Sequence, residues 1–232
     1  MKHWIIYDGK PLSDFGCYIT NAAQYNTPKR DSTKKSIPGR NGDLTIDNGR
    51  YENISVEYSA YIYENAEEQM DWLNAFLMFH TSYARLEDTV HPEVYRMGRI
   101  SGPIKHKTTN DAAMSSFTLD FDCKPQRFLK DGELWRTVAS GTILYNRTGF
   151  TAKPLIRVSG AGTVAIGDAV VTISNNSYGS KDIDSEIMDS YSGSANCNGL
   201  MTGDFPELAV GENRVTFSGF SSVKIKPNWW TL

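Results

Sequence analysis

Four carboxylates crowd into "KDIDSEIMD": Asp182, Asp184 and Glu186 alternate as the oxygen ligands of an EF-hand calcium loop do, with Asp189 close behind. That loop needs glycine at its sixth position and an acid at its twelfth. Counted from Asp182 these are Ile187 and Gly193, so an EF-hand is excluded and a looser surface calcium site or a solvated face remains. Paired carboxylates also serve glycosidases, but the separation of about 5 to 9 Å that decides such a mechanism is not legible in a sequence.

The second chemical pattern is "VSGAGTVAIG", in which Gly160, Gly162 and Ala165 have the spacing of a dinucleotide-binding turn. That turn must open a helix whose N-terminus meets the pyrophosphate. Here "TVAIGDAVVTIS" continues in β-branched residues through another Gly-Asp turn, so the glycines mark a bend between strands. His3, His80, His91 and His106 are scattered without metal-ligand spacing, and "ASG" at 139–141 lacks the glycine-flanked serine of a hydrolase elbow. Cys17, Cys123 and Cys197 are too widely spaced for a disulfide framework or a paired-cysteine metal site, and are expected as buried, reduced thiols. The chain is therefore expected to be no enzyme and to carry no metal and no cofactor.

A binding question remains at the end of the chain. Trp229 and Trp230 in "KPNWWTL" are adjacent and cannot both face inward from a strand. One of them either stacks on a sugar ring or covers an interface or a neighbouring loop.

The elements that must hold these residues are mostly strands. In "NISVEYSAYIY" Ile54, Val56, Tyr58, Ala60 and Ile62 alternate with polar residues, and Phe117, Leu119, Phe121 and Cys123 do the same in "MSSFTLDFDC". Each has one wet face, which predicts an antiparallel sheet. "DNG" at 47–49 is a tight-turn signal and predicts a hairpin over 43–63. Between the strands, "NAEEQMDWLNAFLMF" predicts a helix with Asn65 as N-cap and Glu68 as its capping-box partner. Ala66, Met70, Leu73 and Leu77 form its apolar stripe, with Trp72, Phe76 and Phe79 widening it for packing on a sheet. "RLEDT" at 85–89 and "EVYRMGRISG" at 93–102 read as further strands. From about residue 141 helical periodicity vanishes, and short apolar runs separated by Gly, Asn and Ser predict a β-sandwich. The fold class is mainly β in two domains: an N-terminal α+β domain of antiparallel strands with one helix (1–140) and a C-terminal sandwich (141–232).

Composition narrows function. The 24 basic and 27 acidic side chains leave a net charge of -3, and neither half is strongly basic, which argues against a nucleic-acid-binding domain. "MKHWIIYDGK" has too short an apolar run for a signal peptide and no stretch approaches a membrane span, so a soluble protein made in the cytoplasm is expected. The exception to the even charge is "KRDSTKKSIPGR", where Lys29, Arg30, Lys34, Lys35 and Arg40 face a single Asp31.

The opening "GKPLSDFGCYIT", then "SIPGRNGDL", "FDCKPQRFLKDGE", "DIDSEIMDSY", "GDFPELAVGENRVTFSG" and the closing "IKPNWW" resemble, in order and spacing over nearly the whole chain, the distal tail proteins (Dit family) of long-tailed siphovirus bacteriophages of Gram-positive bacteria. The resemblance implies an N-terminal domain that closes into a hexameric ring at the virion tail tip and a galectin-like β-sandwich carried on its outside. It implies a homo-hexamer joining the tail tube protein to a tail-associated fibre or lysin protein at the baseplate. The lumen would pass the tape-measure protein and, in transit, DNA, with no membrane insertion. Synthesis would be in the host cytoplasm, and the role would be mechanical assembly without turnover. The alternative is a carbohydrate-binding module contributing to host cell-surface recognition. Galectin-type sites surround a tryptophan with His, Asn, Arg and Glu, whereas residues 141–232 contain no histidine.

Against that background the basic stretch reads as a hairpin arm over 29–50. Pro38, Gly39 and Gly42 at its base would bend it away from its own sheet, and Lys34, Lys35 and Arg40 would seat it against acidic groups of a neighbour or of the next ring. The plain alternative is a surface loop with solvated lysines. A basic lining for the lumen is weaker, since a channel in which DNA must slide gains little from tight phosphate binding.

Overall fold

The computed structural model of the chain describes residues 2–108, 114–174 and 179–232, which fall into two compact units, one of residues up to Arg127 together with Leu232 and one of Phe128–Thr231. The segment 128–140, which the change of sequence texture places in the first domain, lies in the second unit. There Arg136–Val138 pairs antiparallel with Ser222–Lys226.

In the first unit the long strand Met114–Leu129 runs antiparallel beside Ile54–Tyr63, with Phe121 opposite Val56, Leu119 opposite Tyr58 and Phe117 opposite Ala60. The period-two residues on both strands are buried, as their alternation predicts. Around this pair the sheet runs Lys10–Pro11, Ile5–Tyr7, Ala84–Asp88, Val94–Ile100, Met114–Leu129, Ile54–Tyr63 and Cys17–Ile19. The one α-helix among the described residues, α1 (Ala66–Phe79), buries Ala66, Met70, Leu73 and Leu77 in the same core.

Two details of α1 differ from expectation. Asn65 makes no side-chain cap bond and sits in the left-handed region with φ 47°, directly after Glu64 at φ 65°. The chain leaves the strand at Tyr63 and enters the helix at Ala66, and this abrupt reversal takes the left-handed conformation that Asn tolerates in place of a capping box. Trp72 and Phe79 do not pack on the sheet: they are 61 % and 84 % exposed, on the side of the helix turned away from the buried stripe. Only Phe76 widens that stripe, as a partly buried side chain against the core.

The second unit is a pair of antiparallel sheets. One contains Arg136–Val138, Ser222–Lys226, Leu155–Ser159, Ser180–Asp184, Asp189–Ser192 and Ala195–Asn196; the other contains Thr142–Asn146, Gly211–Ser218, Gly162–Ile166, Ala169–Ile173 and Met201–Thr202. Their inward residues, Ile156, Val158, Val164, Val171, Val215 and Val223 among them, make a separate core.

Candidate functional site

The hairpin predicted over 43–63 does not form. Leu44–Tyr51 instead pairs antiparallel with Arg30–Lys35 as a separate two-stranded sheet, and Ile54–Tyr63 belongs to the main sheet. The connection is at the far end. The Arg40 N–H donates to the Ile37 carbonyl at 3.1 Å around Pro38 and Gly39, and Gly39 has φ 81°. Proline second and a positive-φ glycine third are the requirements of a type II turn, and Gly42 at φ 83° completes the reversal. Pro38, Gly39, Arg40 and Gly42 thus lie at the tip of the arm and not at its base.

The Asp47-Asn48-Gly49 signal is absorbed by an irregularity inside the second strand. Gly49 has φ 74°, its N–H donates to Asp47 Oδ1 at 2.8 Å, and the register shifts between Arg30 and Ser32. The chemistry that makes a two-residue turn also makes a bulge.

No core supports the arm, and polar pairs hold its base. Arg30 Nη2 lies 2.8 Å from Asp47 Oδ2, Arg50 Nε lies 2.6 Å from Asp31 Oδ2, and Lys29 reaches Glu52 at 3.1 Å. Hydrogen bonds from Asn48 and Arg50 hold the Asp31 carboxyl below its usual range, and Arg30 with the Gly49 N–H does the same for Asp47. A lowered folded-state value makes this support complete above the reference value of 3.8 and removes it as the pH falls through the folded value. Amide-exchange protection within 30–51 is therefore expected to be constant across neutral pH and to collapse in acid below 3.8. Protection that persisted in strong acid would show that the pairs are not what orders the arm.

Toward the tip the character changes. Lys34, Lys35 and Arg40 are exposed and form no ion pair among the described residues. Cross-strand register puts Thr33, Lys35, Leu44 and Ile46 on one face of the ribbon, with Ile46 47 % exposed.

The other residues singled out by their chemistry serve structure. Asp182 takes a two-pronged bond from Arg157, both contacts at 2.6 Å, and Arg157 lies over the Trp135 ring at 4.7 Å. Asp184 accepts from the Glu186 and Ile187 N–H groups, and Asp189 from Asn198. The strand Gly162–Ile166 pairs with Ala169–Ile173, so the glycine-rich stretch opens no helix. His3 meets Thr89 at 3.2 Å, while His80 Nδ1 donates to the Phe76 carbonyl at 2.9 Å. Burial pushes the Cys17 and Cys123 thiols up to about 12, which leaves them inert at neutral pH. Trp229 is 7 % exposed within the second core, whereas Trp230 stacks on Phe150 at 4.4 Å and donates its indole N–H to the Thr151 carbonyl.

Three features carry no local sequence signal. On the wet face of the main sheet, Asp122 accepts from Asn53, Tyr83 and Arg99 at 2.9 to 3.1 Å; burial opposes its charge, but these donors outweigh it and hold the carboxyl below its usual range. Toward the other end of the same strand pair, Tyr61 meets Tyr18 and Tyr63 at 6.0 and 5.0 Å beside an open cleft of about 750 Å³ reaching Lys105. On the outer face of α1, exposed Trp72 and Phe79 follow Glu68 and Asp71. Pairing of distant strands and the choice of which helix face meets the sheet create these groupings.

No family model and no curated protein matches the sequence. Among solved structures, the chain is similar to the Dit (gp 19.1) protein of phage SPP1, described as a paradigm of the hub adsorption apparatus in phages infecting Gram-positive bacteria. The TM-score is 0.75 at 15 % identity, over 96 % of this chain and 97 % of that one. It is also similar to chains of the phage p2 baseplate in its activated conformation, with Sr and with Ca. Each has a TM-score of 0.50 at 11 % identity, over 97 % of this chain and 96 % and 97 % of theirs. Over nearly its whole length, then, the chain has the Dit-like fold of a Gram-positive phage hub protein.

Proposed function

We propose that the chain is a structural, non-enzymatic component of a phage tail tip, assembling into a hexameric ring between the tail tube and the tail-associated fibre or lysin protein. The full-length likeness to the SPP1 hub protein carries this reading. The ring leaves a lumen for the tape-measure protein and for DNA in transit, with the first unit building the ring and the sandwich displayed on its outside. The arm supports the same reading: a two-stranded ribbon with no core of its own is at best marginally stable in water, and a subunit boundary supplies what it lacks. Residues 29–50 are ring-building in this scheme, across a boundary or toward the next ring. The burial of Trp229 and the Trp230 stack on Phe150 speak against the alternative of a carbohydrate-binding module.

Lys35→Glu combined with Arg40→Glu tests the arm. Both side chains are exposed, so the fold should be untouched while the mass measured by light scattering falls below that of the unaltered chain at equal concentration. An unchanged mass would remove the arm from the ring.

A further inference from the structure

We propose that the arm of one copy seats on the outward face of α1 in a neighbouring copy, which names the two surfaces of the subunit boundary and rests on the ring reading above. The arm brings exposed Arg40 at its tip and exposed Lys35 level with Leu44, with Ile46 next toward the base on the same face as Lys35 and Leu44, while exposed Lys34, opposite Thr45, lies on the other face. The helix brings the complement in the same order. Glu67, Glu68 and Asp71 occupy its first turns, and Trp72, Ala75 and Phe79 follow toward its C-terminus, all exposed.

Charge and apolar area are both left open in the single chain. None of these six charged groups forms an ion pair among the described residues, and Trp72 and Phe79 lie opposite the stripe that α1 buries. Glu68 to Phe79 spans about 16 Å of helix axis. Leu44 and Ile46, two residues apart on one face, cover about 7 Å of it beside the aromatic rings, and the turn carrying Arg40 lies beyond Leu44 toward the tip. Laid with its tip toward the helix N-terminus and that face down, the ribbon places Lys35 and Arg40 on carboxylates and Leu44 and Ile46 on the exposed aromatic rings. Removing that apolar area from water supplies the attraction, and the charges fix direction and register.

The occupant is a second copy because the basic and acidic halves are on one chain and differ from each other. Such a contact is heterologous: every copy gives one arm and receives one, so it propagates until a ring closes.

Trans-complementation in the full chain tests the pairing. One variant reverses the arm (Lys34→Glu, Lys35→Glu, Arg40→Glu), and the other reverses the helix (Glu67→Lys, Glu68→Lys, Asp71→Lys). Each alone is expected to lose at least tenfold in assembled fraction by light scattering, and an equimolar mixture to regain the unaltered mass, because every arm then meets a helix of opposite sign. A second measurement is oxidative cross-linking of Lys35→Cys with Asp71→Cys. The three native cysteines are buried, so a ladder of linked copies reports this contact. A helix-reversed chain that assembles normally, or a mixture that stays dissociated, overturns the arm-to-helix contact while the ring reading stands. An unaltered chain that remains a monomer at every concentration removes the ring reading and this contact together.

Discussion

Phe121→Ala is expected to destabilise the first unit by about 4 kcal/mol, within the usual range for truncating a fully buried phenylalanine. The side chain is inaccessible, opposite Val56 in the middle of the long strand, and its ring lies 5.4 Å from Tyr7 and 6.2 Å from Tyr58 in edge-on or tilted contact. Tyr58 cannot slide in to fill the space. Its hydroxyl donates to Asp88 at 3.0 Å, and the same carboxylate accepts the Val90 and His91 N–H groups, so moving the ring would break a buried polar cluster. The lost ring therefore leaves a cavity and not a collapsed core. Urea unfolding should show the first unit's midpoint displaced with its slope retained. A loss below about 1 kcal/mol would mean that the site repacks freely. The same core fixes both the strand that continues from the arm and the helix that bears Trp72 and Phe79.

Gly162→Ala is expected to have a comparable effect on the second unit, about 3 kcal/mol, at the upper end of what overpacking costs. A methyl at this position would lie 2.2 Å from the Ser218 carbonyl oxygen and 2.8 Å from the Phe220 nitrogen. Both are backbone atoms, and Thr163 is registered directly against Ser218, so the two strands would have to part to admit it. Gly219, between them at φ 83°, has as little room, since a methyl there would lie 2.7 Å from the Ala161 carbonyl oxygen. The glycine that imitates a nucleotide-binding turn thus permits close passage of two sheet strands. Fluorescence of Trp229 and Trp230 should report an early transition for the second unit while the first unit's transition stays in place.

What could be read from residues alone follows physical range. Period-two alternation at 54–62 and 117–123 and the four-three-four spacing of Ala66, Met70, Leu73 and Leu77 report burial directly, because a face is a local property of a strand or helix. Partner choice is not local, and there the reading slipped. Asp47-Asn48-Gly49 makes a bulge and not a turn, since the strand's partner lies before it in the chain at 30–35. Asn65 gives up its cap for a left-handed corner imposed by the preceding strand. Residues 128–140 have no distinctive texture, yet a pairing with 222–226, nearly a hundred residues on, sends them to the second unit. The arm was legible as a concentration of cations and glycines. That Glu67, Glu68 and Asp71 stand exposed on α1, with Trp72 and Phe79 uncovered beside them, follows only once the sheet has chosen which side of the helix to take.

The most direct test of the central claim is the solution mass of the full chain across a concentration series, by multi-angle light scattering with negative-stain imaging of the heaviest fraction. The account predicts a plateau at the mass of a hexamer of 25.9 kDa chains, seen as a ring with a central hole. A mass that stays at 25.9 kDa at every concentration would contradict it.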